Sequence, residues 1–209
     1  MLDMLIAQPS NPGIEDRIES LLRKVEANTV AYDDGCLRYE WYRAPEPRTY
    51  LLVERWASME AATAHVKADH FTAVMREAQD LIPQPHTKRA LRRLVTDTDR
   101  EQNPTAQVTN ATLDIIVTQR CHAGSEERFE KLLRTVERNT ATLDDGCLRY
   151  EWYGAPEPQT YVLVERWTNM EAAQTHLKAE HFQAVLPEFR ECVPEPFAIR
   201  KITRLAGQG

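Results

Sequence analysis

The sequence predicts an α+β fold made of two βαββαβ sandwiches in tandem, and three observations predict it. The 209-residue chain contains one domain written twice: Asp33–Tyr42, DDGCLRYEWY, returns unchanged as Asp144–Tyr153, and the offset of 111 residues holds without a gap from Leu2 against Leu113 to Leu94 against Leu205. From Asp33 to Val74 the copies agree at 32 of 42 positions, and a period of this length is a whole domain with its own core rather than a solenoid repeat. Within each copy, segments of period-two hydrophobicity and segments of helical spacing follow one another in the order strand, helix, strand, strand, helix, strand. That order is the ferredoxin-like one, an antiparallel sheet with both helices on one face.

The elements follow from local chemistry. Leu2, Met4 and Ile6, matched by Leu113, Ile115 and Val117, alternate along an opening strand at Leu2–Gln8. Gly13 and Gly124 mark the next turn. Ile14, Ile18, Leu21, Val25 and Asn28 recur every three or four residues, as do Phe129, Leu132, Val136 and Asn139, so each set is one face of an amphipathic helix. Asp33-Asp34-Gly35 stops that helix, since glycine tolerates the left-handed backbone that ends helices. Cys36–Tyr42 and Thr49–Trp56 are rich in aromatic and β-branched residues around Ala-Pro-Glu-Pro, a hairpin with a long loop. Alternation sets Leu37, Tyr39 and Trp41 on one face and Cys36 and Tyr42 on the other. A second helical region runs from about Met59 to Ile82, with a break near Asp69; Pro83 and Pro85 end it, and Thr87–Val95 is the last strand. Both faces of the hairpin are apolar, so the sheet needs cover on its second face, and a covalently attached twin supplies it as an intrachain pseudo-dimer. The domain boundaries read 1–97 and 110–209, with the polar stretch 98–109 as linker.

Composition excludes several classes. A net charge of −6 without a basic tract argues against nucleic acid as a partner, and no helix-turn-helix segment supports a transcriptional role. No apolar run reaches membrane-spanning length and Met-Leu-Asp-Met-Leu lacks a basic leader, so a cytoplasmic location is expected, without membrane partners. Cys36, Cys121, Cys147 and Cys192 show neither Cys-x-x-Cys nor zinc-ligand spacing and read as reduced thiols in small apolar sites. No Gly-x-Gly-x-x-Gly, P-loop or His-Glu-x-x-His is present.

Acidic-Asp-Gly-Cys-Leu-Arg-Tyr-Glu, followed by Glu54-Arg-Trp56, Met59-Glu-Ala-Ala, His65 and His70-Phe71, resembles the antibiotic-biosynthesis monooxygenase family, including its quinol monooxygenases, over almost the whole of both halves. The resemblance implies a dimeric α+β barrel, here with the dimer fused into one chain. It also implies cofactor-independent oxygenation of an electron-rich aromatic such as a quinol, an anthrone or a polyketide-like molecule, with oxygen as the second substrate. No cofactor and no metal are expected. The haem-degrading branch of the same superfamily has its iron-ligating histidine where this chain has Met75 and Leu186, so haem is not expected either.

His65 and His176 stand nearest such chemistry as bases, because a neutral imidazole accepts a phenolic proton near pH 7. The alternative is a half-buried helix histidine bonded to the sheet. His70 and His181 lie five residues on, about 140° around a helix, so a metal held by the pair requires a helix break; a capping or packing role fits them better. Glu54 and Glu165, on strands with apolar neighbours, each require an Arg, a His or a backbone donor, or else orient the histidine. Trp56 and Trp167 are core or ligand platform. Asn28 and Asn139 place an amide on an apolar helix face, where they line a pocket or hold the fold. Together with His70 and His181 these residues form the expected substrate slot. A proton-transfer isomerase and a non-catalytic, stress-linked ligand-binding module are the alternative functions; further homo-oligomerisation is left open.

Overall fold

The computed structural model of the protein describes residues 1–83, 86–96, 111–194 and 197–205. The expected linker at 98–109, like Pro85, lies outside the described residues. The α+β class and the tandem βαββαβ order are both present. The first copy contains β1 (Leu2–Pro9), α1 (Glu15–Tyr32), β2 (Cys36–Arg43), β3 (Thr49–Trp56), α2 (Met59–His65), α3 (Asp69–Ala78) and β4 (Thr87–Arg93). The second contains β5 (Leu113–Arg120), α4 (Glu126–Leu143), β6 (Cys147–Gly154), β7 (Thr160–Trp167), α5 (Met170–His176), α6 (Glu180–Cys192) and β8 (Ala198–Arg204). Among the described residues, no helix is long and apolar enough to cross a membrane.

The compact units and the sequence copies differ at their ends. One unit is Met1–Leu91 with the chain end from Thr203, and the other is Arg92–Ile202. In the first unit the antiparallel order is β4-β1-β3-β2, and Thr203 and Arg204 pair with Arg43 and Tyr42 beyond β2. In the second it is β8-β5-β7-β6, and Arg92 and Arg93 pair with Gly154 and Tyr153 beyond β6. Each copy thus gives the last residues of its final strand to the other copy's unit, which makes the chain an intrachain pseudo-dimer.

The core of each unit lies between sheet and helices. Ile18, Leu21, Leu22 and Val25 on α1 pack with Met4, Tyr39, Trp41, Leu52 and Trp56. Phe129, Leu132, Leu133 and Val136 do the same against Ile115, Tyr150, Trp152, Leu163 and Trp167. Burying each of these side chains contributes about 1.5–3 kcal/mol. One reading of the strand faces is corrected. A bulge between Cys36 and Arg38 breaks the alternation, so Cys36 packs with the Tyr39 and Trp41 cluster while Leu37 is 53% exposed.

The exchanged ends are held by buried charge. Glu26 on α1 accepts the backbone N–H of Trp41 at 2.8 Å, and Arg204 donates to the same carboxylate at 2.7 Å and to the Trp41 carbonyl at 3.1 Å. The backbone N–H of Leu205 adds a bond of 3.0 Å to that carbonyl, and the Arg204 guanidinium lies 5.4 Å from the Tyr42 ring centre. In the second unit, Glu137 accepts the Trp152 N–H at 2.9 Å and pairs with Arg93 at 2.5 Å, while Leu94 donates to the Trp152 carbonyl at 3.0 Å. Burial still holds the Glu137 carboxyl above its usual range despite Arg93. A neighbouring carboxylate is paired by different arginines in the two copies: Glu19 takes Arg43, whereas Glu130 takes Arg92. Arg43 corresponds to Gly154, where a Cβ would come within 2.9 Å of the Arg92 guanidinium.

Removing one partner of a buried ion pair leaves the other charged and unpaired. Arg204→Ala and Arg93→Ala should therefore each destabilise the protein by about 3–5 kcal/mol, measured by urea unfolding followed through tryptophan fluorescence. A loss below about 1 kcal/mol, the scale of an exposed pair, would show that these pairs do not hold the strand ends.

Candidate active site

The site is built where α1 ends. Asp33 caps that helix, its N–H bonded to the Thr29 carbonyl at 3.1 Å. Gly35, at φ +78°, then turns the chain into β2. A Cβ at Gly35 would meet the Ala61 Cβ at 3.0 Å, and one at Gly146 would meet Thr168 Oγ1 at 2.5 Å and the Ala172 Cβ at 2.9 Å. Glycine is therefore required twice over, by its dihedral and by the close approach of α2 or α5. Ser58 and Asn169 start those short helices by accepting the N–H of Ala61 and Ala172 at 3.2 and 2.9 Å.

The second helical region breaks at Ala68 and Ala179, whose extended backbone separates α2 from α3 and α5 from α6. This break removes the angular objection to His65 and His70 meeting. His65 Nδ1 lies 2.6 Å from Asp33 Oδ2, and His70 Nε2 lies 3.1 Å from the same oxygen. The second copy repeats the arrangement: His176 Nδ1 is 2.6 Å and His181 Nε2 3.2 Å from Asp144 Oδ2. His181 approaches at an angle too poor for a hydrogen bond.

Aromatic rings enclose the inner histidine. His65 is 3% exposed, with the ring centres of Phe71, Trp56 and Tyr39 at 4.5, 4.9 and 5.1 Å. Its Nε2 is buried and has no hydrogen-bond partner. His176 is likewise 3% exposed, with Phe182, Trp167 and Tyr150 at 4.5, 5.0 and 5.2 Å. Burial pushes the pKa of both histidines below the ordinary imidazole value, and the adjacent aspartate opposes this only in part. The shift favours the neutral form of both imidazoles.

Glu54 and Glu165 do not find the Arg, His or backbone donor expected of them. They accept instead from the indole N–H of Trp56 and Trp167, at 3.0 and 2.8 Å. The reason is the strand period: residues i and i+2 share a face, so glutamate and tryptophan point into the same layer. Burial raises the Glu54 carboxyl and pushes Glu165 up to about 7, the indole bond opposing the shift in each case. Tyr39 and Tyr150 stand opposite these glutamates on the adjacent strands, and burial raises both phenols.

Of the residues singled out from the sequence, His65, His70 and Trp56 thus come together in one cluster, as do His176, His181 and Trp167, and Glu54 and Glu165 join through the indoles. Asn28 and Asn139 are half-buried on α1 and α4, next to the fully buried Thr29 and Thr140, and the contacts that assemble the clusters do not run through them. Sequence reasoning missed Asp33 and Asp144, read only as helix stops, although both lie inside the unchanged decapeptide. The donor atoms of Asp33, His65 and His70 all lie within 4.8 Å of one another, as do those of Asp144, His176 and His181. Within each group the aspartate and the inner histidine share a 2.6 Å hydrogen bond.

Comparison with known proteins agrees with this framework. The model of the family "Antibiotic biosynthesis monooxygenase" matches residues 9–77 and 115–188, one segment in each copy and most of the chain. The chain belongs to this family. It has no match among curated proteins. Its fold is similar to that of a crystal structure described as a "putative monooxygenase" from Lactobacillus acidophilus NCFM, at TM-score 0.83 and 12% identity over 98% of this chain and 94% of that one. A protein described in the same words from Fusobacterium nucleatum gives TM-score 0.82 and 10% identity over 98% and 92%. An anthrone oxidase-like protein gives 0.58 and 11% over 97% and 90%. At these identities the likeness shows the fold alone, and it extends through both copies of this family member.

The raised Glu165 carboxyl has a consequence for stability. A carboxyl whose folded pKa exceeds its unfolded value stabilises below the unfolded pKa and loses that contribution as pH rises through the folded value, here about 7. Glu165→Gln keeps an oxygen for the Trp167 indole and removes the titration. Relative to wild type it should gain stability between pH 5 and 8, by at most about 3 kcal/mol, in urea unfolding across that range. Parallel curves for the two proteins would mean that Glu165 is not a buried, raised carboxyl.

Proposed function

We propose that this family member is a cofactor-independent oxygenase, acting in the cytoplasm on a small electron-rich aromatic of the quinol, anthrone or polyketide type, with molecular oxygen as co-substrate. One observation carries the reading: a buried histidine, His65, with its Nε2 unpartnered inside a surround of aromatic rings. A buried polar atom without a partner costs stability, and a substrate hydroxyl is the group that would satisfy this one.

His65 and His176 are the bases. Each takes the phenolic proton on Nε2, and the aspartate at Nδ1 stabilises the imidazolium that forms. The deprotonated aromatic is electron-rich enough to pass an electron directly to oxygen, so the protein supplies a base, an apolar slot and charge stabilisation. Trp56, Trp167, Tyr39 and Tyr150 offer the faces against which a flat ring packs. Glu54, Glu165, His70, His181, Asn28 and Asn139 shape the slot around it. The anthrone oxidase-like neighbour adds anthrones to the quinols as compounds to test first.

The test is oxygen consumption with a panel of quinols and anthrones, without added flavin or metal. His65→Ala and His176→Ala should each lose about half the activity, and the double variant on the order of 10²-fold, the smaller end of what general-base catalysis supplies. The base must be neutral and its pKa is depressed, so kcat/KM should hold from pH 8 down to about 6.5, the ordinary imidazole value, and fall only at lower pH. Full activity in the double variant would remove the histidines from the mechanism, and turnover that persists without oxygen would make the protein a proton-transfer isomerase.

A further inference from the structure

We propose that Asp33 and Asp144 are positioning residues that keep the proton of His65 and His176 on Nδ1 and so leave Nε2 as the bare, proton-accepting nitrogen. The inference deepens the oxygenase reading and rests on it for its catalytic consequence. Its structural content stands apart from that reading.

An ionised carboxylate oxygen only accepts, and Asp33 Oδ2 faces two ring nitrogens, His65 Nδ1 at 2.6 Å and His70 Nε2 at 3.1 Å. Both nitrogens must therefore carry hydrogen. A neutral His65 with its proton on Nδ1 has none on Nε2. Doubly protonated His65 would add a buried charge and an unsatisfied donor, because Nε2 is enclosed and has no partner. The rings of Tyr39, Trp56 and Phe71 confine the imidazole plane from 4.5 to 5.1 Å, but ring faces do not choose a tautomer. The bond made by the other nitrogen does.

In the second copy Asp144 Oδ2 faces His176 Nδ1 at 2.6 Å, and that single hydrogen bond is what places the proton on Nδ1 there. The chain reproduces the whole device in both copies: the aspartate comes from the α1 or α4 cap, the inner histidine from the end of a seven-residue helix, and the outer histidine from the helix that follows the break. His70 gives the same carboxylate oxygen of Asp33 a second hydrogen bond. His181, off line at 3.2 Å from Asp144 Oδ2, does not. The charged groups bearing on His65 are Asp33 from the α1–β2 turn, His70 from α3 and Lys88 from β4; those on His176 are Asp144 and His181.

The experiment uses the full chain labelled with 15N-histidine. Two-bond proton–nitrogen NMR correlations near pH 7.5 report which ring nitrogen carries hydrogen, and His65→Gln and His176→Gln assign the two signals by their loss. In the wild type both residues should be neutral with hydrogen on Nδ1. Asp33→Asn and Asp144→Asn should convert the matching signal to the Nε2-protonated form or to a mixture. The double aspartate variant should lose kcat at least about tenfold, part of the roughly 10²–10⁴-fold worth of a general base, with KM changed less than about threefold. Because the carboxylate charge favours the imidazolium, its removal should also move the acid limb of kcat/KM to lower pH, which a merely structural role would not do. Hydrogen on Nε2 in the wild type would overturn the proposal even if the aspartate variants fail to fold. So would an asparagine variant that keeps both the Nδ1 proton and full activity. A wild type that consumes no oxygen but shows the Nδ1 tautomer would sink the oxygenase reading and leave this assignment standing.

Discussion

A carboxylate buried on each long helix, Glu26 or Glu137, is the constraint on which the rest of the structure depends. A carboxylate in an apolar layer is stable only when its oxygens are occupied. One copy supplies a single donor from its own hairpin, the backbone N–H of Trp41 or Trp152, and the remaining capacity is filled by an arginine that the other copy contributes. The helix, the hairpin strand and the exchanged strand end are thereby tied to one group. A single copy of the sequence would carry the buried acid without its cation. The duplication is in this sense a completed structure rather than two finished domains on a string.

The same helices deliver the aspartates one turn beyond their buried ends, so the charge that organises the fold and the charge that organises the histidines are set by one rigid element. Between them lies a layer rich in aromatic side chains, whose low polarity acts on the groups buried in it. It pushes the His65 imidazole down and the Glu54 carboxyl and Tyr39 phenol up, towards neutrality in each case.

Divergence between the copies follows this division. The histidines, their aspartates, the tryptophans and the buried helix carboxylates are identical, while the groups one shell out have changed. Glu19 and Glu130 keep a cation but take it from different positions. Lys88, which bears on His65, is replaced by Ile199 in the second copy, and Ser10 and Leu81 are replaced by Cys121 and Cys192. Both thiols are buried and free, with pKa values raised by burial, so they behave as small apolar side chains.

The sequence by itself determined the duplication, the element order and most of the strand and helix limits. These rest on local periods of two and of three to four, and on glycine and proline, whose conformational preferences act within a few residues. It also singled out the histidines, since residue type alone makes imidazole the candidate base. What only the tertiary structure decided is which groups meet. The cap at Asp33 and the inner histidine are separated by 32 residues and come together because Gly35 admits α2, and His70 joins them because the chain breaks at Ala68. The bulge that turns Cys36 inward and Leu37 outward depends on how β2 registers against β3. Glu54 finds an indole rather than a cation because its strand puts Trp56 on the same face. The exchange of strand ends depends on where an arginine more than 170 residues away in the chain finds a buried acid. Contacts of this kind are settled by burial and charge pairing in the folded layer, to which no local pattern in the chain refers.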